Sequence, residues 1–309
     1  MKLLTIVMYH YVREIKKSQF PNLKGLEFSE FKNQIKYLKT KYNIIGYEEF
    51  KDFIINKQRL PKNPCMLTFD DGYKDHINYV LPELSRHKIS AFFFPVGSTI
   101  MEDKILDINL IHAIQSKAKS ERNLFNDLNY LLINNNFTNQ QIKFFFKNYF
   151  YKARYDSKYI RYFKEVLQNM DDIQKKEKII NQLFKKYVNL DTNFYKESLY
   201  LNKKEIKELI SNGMYVGAHG YHHKRYANLT PKQQEKDINL SLKFLKVIGS
   251  KSKNWIMCYP YGSYNSKTIN IIKKKNCLAA VTVDVGNNNQ NKMNLFKLNR
   301  FDTNDFKNK

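Results

Sequence analysis

Residues 65–73 read Cys65-Met66-Leu67-Thr68-Phe69-Asp70-Asp71-Gly72-Tyr73: five uncharged residues, two adjacent carboxylates, then glycine. The uncharged run has the length and composition of a buried strand, and Gly72 is a turn signal. In barrels and open α/β sheets, ligands bind at the carboxyl ends of strands. Neighbouring side chains at a strand end point in different directions, so one carboxylate can ligate a cation while the other faces a substrate. Two charges this close repel unless a cation or a shared proton relieves them. The alternative is an ordinary solvated Asp-Asp-Gly turn, and the stretch alone does not choose between them.

Further strand patterns lie on both sides of it: Leu3 to Tyr9, Ser90 to Val96, Met214 to Ala218, Trp255 to Tyr259 and Ala279 to Val283. Helical periods alternate with them. Ile77, Val80, Leu81 and Leu84 recur at offsets of three and four, and Thr230-Pro231 with Gln233 forms a capping box before a helix that stops at Gly249. Alternating strands and helices predict an α/β layer architecture with parallel strands. Residues 103–200 differ. They hold almost no Gly or Pro and carry helix-length mixtures of aromatic, Lys and Asn residues such as Gln141 to Tyr159, with an Asn-rich turn over Ile133 to Gln140. The expected organisation is an α/β body from 1–102 and 201–309 with a helical insertion at 103–200.

With 309 residues, 42% of them apolar or aromatic, the chain can bury one good core and one accessory subdomain. Its first twelve residues contain His10, lack a small-residue cleavage site and read as a buried strand rather than a signal peptide. No apolar stretch reaches the length of a bilayer span. A cytoplasmic protein is expected. Cys65, Cys258 and Cys277 are odd in number and lack C-x-x-C spacing, which suggests neither a disulfide framework nor a cysteine zinc site and reads as reduced core thiols. The net charge of +24 is spread along the chain, with +9 of it in residues 246–309. Abundant Lys, Asn and Ile throughout point to compositional bias, and no motif supports nucleic-acid binding. The basic final block suits peripheral contact with an anionic membrane face.

A second chemical cluster is Gly217-Ala218-His219-Gly220-Tyr221-His222-His223, again just after a predicted strand. Histidines four positions apart can converge on one ion. One Asp and two His would leave positions open for water and substrate, as a hydrolytic metal requires. His222 is the rival ligand to His223, which is preferred because four-residue spacing returns a side chain to the same face of a helical turn.

Together these clusters resemble the NodB-type polysaccharide deacetylases, carbohydrate esterase family 4. Thr68 to Gly72 match the family's first motif, T-F-D-D-G. His219 to His223 match its second, H-(S/T)-x-x-H, with Gly220 in place of the hydroxyl residue. Trp255-Ile256-Met257-Cys258-Tyr259-Pro260-Tyr261-Gly262 resembles a variant of its third. The resemblance covers residues 1–100 and 200–302 and implies a distorted or incomplete (β/α) barrel. It implies Asp70 as general base and Asp71, His219 and His223 as ligands of zinc or a similar divalent ion. It also implies that the backbone N–H of Tyr261 helps stabilise the oxyanion, and that the substrate is an N-acetylated sugar, glycan or lipid-linked saccharide.

The sequence departs from the family twice. Many members carry an arginine two residues before the motif proline to orient the base; Cys258 stands there, and Arg300 is the candidate to fill the role from a later strand. The general acid is normally a histidine in a C-terminal leucine-histidine motif, yet no histidine follows His223. His10 is the candidate, since it ends the first predicted strand, and in a closed barrel the first and last strands are neighbours. Its Tyr9-His10 pair is similar to the Y-H of a permuted branch that acts on poly-N-acetylglucosamine. The two departures leave a competing reading: a carbohydrate-binding or membrane-associated assembly protein with a decayed site. His76, His87 and His112 are expected to be structural or solvated. Tyr73, Tyr221, Tyr261 and Tyr264 flank the motifs as candidate sugar-stacking platforms.

Overall fold

The structure, a computed structural model, describes residues 2–102 and 104–306. It divides into two compact units. One comprises Met1–Glu14, Gly25–Lys104 and Glu197–Lys309; the other comprises Ile15–Lys24 and Ile105–Lys196.

The first unit is an α/β body. Its strands are β1 (Leu3–Tyr9), β2 (Val12–Arg13), β3 (Leu26–Glu27), β4 (Asn43–Ile44), β5 (Pro64–Asp71), β6 (Phe92–Pro95), β7 (Tyr215–Val216), β8 (Trp255–Cys258), β9 (Cys277–Val281), β10 (Asn288–Asn289) and β11 (Phe301–Asp302). The central sheet runs β10-β1-β5-β6-β7, with β11 also on β1 and β4 on β5. All of these pairings are parallel except β10 on β1. Strands β8 and β9 form a separate parallel pair. Among the described residues, the β8–β9 pair meets the segments after β7 and before β11 through isolated bridges, Ala218↔Met257 on one side and Val281↔Leu298 on the other. The barrel is therefore incomplete, with no continuous ladder closing it.

The first and last strands are neighbours as expected, β11 lying on β1, and His10 comes beside Asp70 because β1 is also the direct ladder partner of β5 up to Tyr9↔Phe69.

Strand periodicity sorts the core. Val7, Tyr9, Leu67, Phe69 and Phe93 pack with the helices on one face, in a cluster that includes Ile206, Ile238 and Leu245. Ile6, Met66, Phe92, Phe94, Ile256, Cys258, Val281 and Leu298 meet on the other. Both clusters are buried. By the same alternation Thr68 and Asp70 inherit the face of Met66, and Arg300 that of Leu298.

The helix predicted from Thr230 spans Pro231–Val247, with the reciprocal Thr230–Gln233 capping box in place and Gly249 at φ +79 just beyond. The helical period through Ile77 resolves into a π-helical turn, His76–Val80, followed by a short α-helix, Leu81–Arg86.

The second unit is all-helical in its regular structure. Helices Asp107–Lys117, Glu121–Asn134, Asn139–Tyr149, Lys158–Gln168 and Ile173–Tyr187 pack through Ile111, Leu124, Leu128, Tyr162, Phe163, Val166 and Leu183. The stretch Gln141 to Tyr159 is not continuous helix, because Ser157 caps a new one through a hydrogen bond from the Ile160 amide. The Asn-rich turn is shorter than expected, occupying only 135–138. Lys24 joins this unit by pairing with Asp156. Among the described residues no helix is long and apolar enough to cross a membrane.

Candidate active site

The carboxyl ends of β1, β5 and β8 and the segment after β7 bring the chemical residues together within the α/β unit. Asp70, still in extended strand, points into the face shared with Cys258 and is 1% exposed. Asp71, the last residue of β5, leaves extended geometry: its φ of +71 and that of Gly72, +76, are both left-handed. A side chain at position 72 would place its Cβ 2.6 Å from Pro95 Cβ, so glycine is required by space as well as by φ. The turn separates the two carboxylates and gives them different neighbours.

Asp71 Oδ1 lies 3.3 Å from His219 Nε2 and 3.4 Å from His223 Nε2. The two imidazole nitrogens are 3.2 Å apart. All three side chains are buried. His219 Nδ1 donates to the Cys258 carbonyl at 2.9 Å, which fixes the tautomer and leaves the Nε2 lone pair facing Asp71 and His223. Gly220 at φ +68 and His223 at φ +52 tighten the loop between the two histidines. Three electron-pair donors converging on one point, buried away from water, require positive charge among them. An Asp-His-His set with a fixed outer hydrogen bond fits a zinc-like divalent ion. Burial by itself would raise the Asp71 carboxyl, but the imidazoles of His219, His223 and His10 hold it well below the usual range. Burial pushes His223 down to about 3, so its ring is neutral, whereas at His219 burial is outweighed by Cys258 and Asp71 and the imidazole is held well above its ordinary value, with a proton that a bound cation would displace.

Asp70 has other partners. Arg300 Nη1 donates to its Oδ1 at 2.9 Å and Arg300 Nη2 lies 2.8 Å from its Oδ2. Arg300 is itself locked: Nε donates to the Thr282 carbonyl at 2.7 Å, and Nη1 also reaches Thr68 Oγ1 at 3.1 Å. Cys258 Sγ donates to Asp70 Oδ2 at 3.4 Å and sits 3.3 Å from Arg300 Nη2. A small thiol at position 258 thus shares the space beside Asp70 with a guanidinium arriving from the start of β11. Burial opposes ionisation of Asp70, yet Arg300, His219 and His10 outweigh it and its carboxyl stays below the ordinary value. His10 Nε2 is 3.8 Å from Asp70 Oδ2, and the His10 side chain is 39% exposed, against 1% for Asp70. Tyr261 has φ +57, its ring centroid 4.6 Å from that of His223, with Arg225 stacked over it at 4.3 Å.

Of the sequence-predicted residues, Asp70, Asp71, His10, His219, His223, Tyr261 and Arg300 all gather here. The rival ligand His222 turns away, its Nδ1 2.7 Å from Asp237 Oδ2. Asp237 was not foreseen. From the helix Pro231–Val247 its carboxylate also accepts the Tyr221 and His222 amides and the Tyr226 hydroxyl, so it holds the loop carrying both histidines. Nothing in the helix's own periodicity marks it out. Tyr73 is not a sugar platform: it is fully buried and its hydroxyl donates to Asp71 Oδ2 at 2.6 Å. Tyr221 is buried as well, while Tyr261 and Tyr264 keep part of their surface in solvent.

The family model described as polysaccharide deacetylase matches residues 57–125 and 155–280. The chain belongs to this family. No curated protein matches it in sequence. Among solved structures, the polysaccharide deacetylase fold seen here is similar to the Streptococcus pyogenes deacetylase PplD, solved in complex with acetate. That match has a TM-score of 0.59 at 17% identity and covers 97% of this chain and 92% of that one. It is similar to the de-N-acetylase from Aggregatibacter actinomycetemcomitans, with a TM-score of 0.57, 15% identity and 97% and 94% coverage. IcaB from Ammonifex degensii matches at a TM-score of 0.53, 16% identity and 97% and 87% coverage. At these identities the likeness is one of fold.

Proposed function

We propose that this polysaccharide deacetylase family member hydrolyses an N-acetyl group from a sugar, glycan or lipid-linked saccharide with the help of a divalent metal. The observation that carries the reading is the division of labour between adjacent carboxylates: Asp71 faces two imidazole nitrogens, and Asp70 faces a guanidinium.

Asp71, His219 and His223 would hold the ion, which when bound supplies Lewis acidity and eases deprotonation of water. The remaining chemistry falls to the chain. Asp70 takes a proton as a water oxygen bonds to the acetyl carbon, and the Tyr261 N–H donates to the oxygen on which charge develops. As the carbon–nitrogen bond breaks, His10 gives its proton to the departing nitrogen. The products are acetate and a free amine. Arg300 keeps Asp70 ionised and aimed, and the exposed edge of His10 allows its proton to be renewed from solvent.

Against a decayed binding site stand the buried donors, which keep ligand geometry, and Arg300, which takes the position beside the base that Cys258 leaves unfilled. Acetate release from a panel of N-acetylated soluble sugars and lipid-linked saccharides, with and without chelator, tests the proposal. Chelator-sensitive release is expected on at least one substrate. A purified protein that binds no divalent ion and releases no acetate from any of them would sink it.

A further inference from the structure

We infer that His76 is a positioning residue for His10, an inference that rests on His10 as the donor of the proton to the leaving nitrogen. The β1–β5 ladder ends at Tyr9↔Phe69, so His10 stands one residue beyond the last paired position. What holds its backbone is His76, whose Nε2 lies 3.1 Å from the His10 carbonyl oxygen. Only an N–H can serve a carbonyl, so the His76 proton sits on Nε2 and Nδ1 is left as a bare acceptor. Nδ1 has no hydrogen-bond partner among the described residues.

That arrangement is costly for mere filling. His76 is fully buried between the rings of Phe69, Phe93 and Tyr73, with centroids at 5.6, 5.5 and 5.9 Å. A phenylalanine would pack there without stranding a lone pair. Burial drives the ring's pKa down to about 4, so it is a neutral donor at neutral pH. The preceding residue acts on the same segment: Asp75 Oδ2 accepts the Val12 amide at 2.9 Å and the Arg13 Nε at 2.9 Å. Two consecutive residues therefore hold this segment, by the His10 carbonyl, the Val12 amide and the Arg13 side chain. They do so at the mouth of the π-helical turn His76–Val80, a wide turn that is rare overall but frequent at functional sites. Since this turn begins five residues after Asp71, the base and the acid are set against each other by one short stretch of chain.

The test is a double-mutant cycle on acetate release, read beside metal content. His76→Phe keeps the ring and loses the donor; His76→Gln keeps an N–H donor. His10→Ala is expected to lower kcat by roughly 10²–10⁴-fold, the usual share of a general acid. His76→Phe is expected to lower it on the order of 10²-fold with bound metal and KM retained, as misplacement of a reacting group does. His76→Gln should recover most of that loss, and His10→Ala with His76→Phe should be no slower than His10→Ala alone. Full turnover in His76→Phe beside a slow His10→Ala would overturn the inference, and so would losses that multiply in the double variant. Wild-type turnover in His10→Ala would instead overturn the reading of His10 and this inference with it. Should His76→Phe fail to fold, His76→Gln decides: near-normal turnover supports the inference, and a loss that persists undiminished in the His10→Ala background overturns it.

Discussion

Arg300 and Asp70 form a two-pronged ion pair across 230 positions of sequence, and neither side chain has more than a trace of solvent contact. Breaking a buried pair by removing one partner leaves a charge with no compensation, at a cost of about 3–5 kcal/mol. Arg300→Met should lose stability on that scale in denaturant unfolding. Arg300→Lys, which keeps the charge but not the planar fork, should fold better and still turn over slowly, because one point charge cannot hold both carboxylate oxygens. Equal stability of Arg300→Met and wild type would contradict the buried pair.

The ligand assignment separates the three clustered histidines. Asp71→Ala, His219→Ala and His223→Ala should each be purified without metal, whereas His222→Ala, whose imidazole is engaged by Asp237, should retain it. Elemental analysis after gel filtration reads this directly. Metal loss in His222→Ala alone would reverse the choice between the rivals.

Tyr73 touches no candidate substrate surface, yet its hydroxyl bonds the second oxygen of Asp71. Deleting an outer hydrogen bond to a ligand weakens metal affinity by roughly 10–100-fold. Tyr73→Phe should show that loss in competition with a chelator while its circular dichroism spectrum stays unchanged.

In the helical unit, Asp156 lies between Lys164 and Lys24 at 2.8 and 2.9 Å. Burial works to raise its carboxyl, and the two ammonium groups outweigh burial and lower it. A depressed carboxyl contributes stability above its unfolded value, and that contribution is lost as pH falls through the folded value. Asp156→Asn should therefore be less stable than wild type at neutral pH, by about 1 kcal/mol for a partly exposed pair. The gap should close in thermal melts taken at acid pH below the usual carboxylate range. A gap that widens on acidification would reverse the sign.

Much of this site could be read in the sequence because it is local. Thr68 to Gly72 and His219 to His223 each place their donors within five residues at the end of a strand, and β-branched or aromatic runs announce those strands. Arg300 was legible only as a candidate to fill a gap, since its meeting with Asp70 depends on β11 pairing with β1. Asp237, Tyr73 and His76 act through hydrogen bonds that no spacing rule encodes. An acid midway along an amphipathic helix, a tyrosine after a glycine and a histidine opening a turn all have commoner explanations. The barrel's single-bridge seams were equally hidden, because register and bulges set them rather than composition.

The late position of Arg300 also governs how the protein can be made. A nascent chain extended only to residue 290 already contains Asp70, Asp71 and both candidate ligand histidines, but the face where Asp70 must be buried lacks the guanidinium that pairs with it. Ribosome-bound intermediates should therefore leave that face wet and open, and the last strand, on leaving the exit tunnel, would close the core and complete the site in the same event.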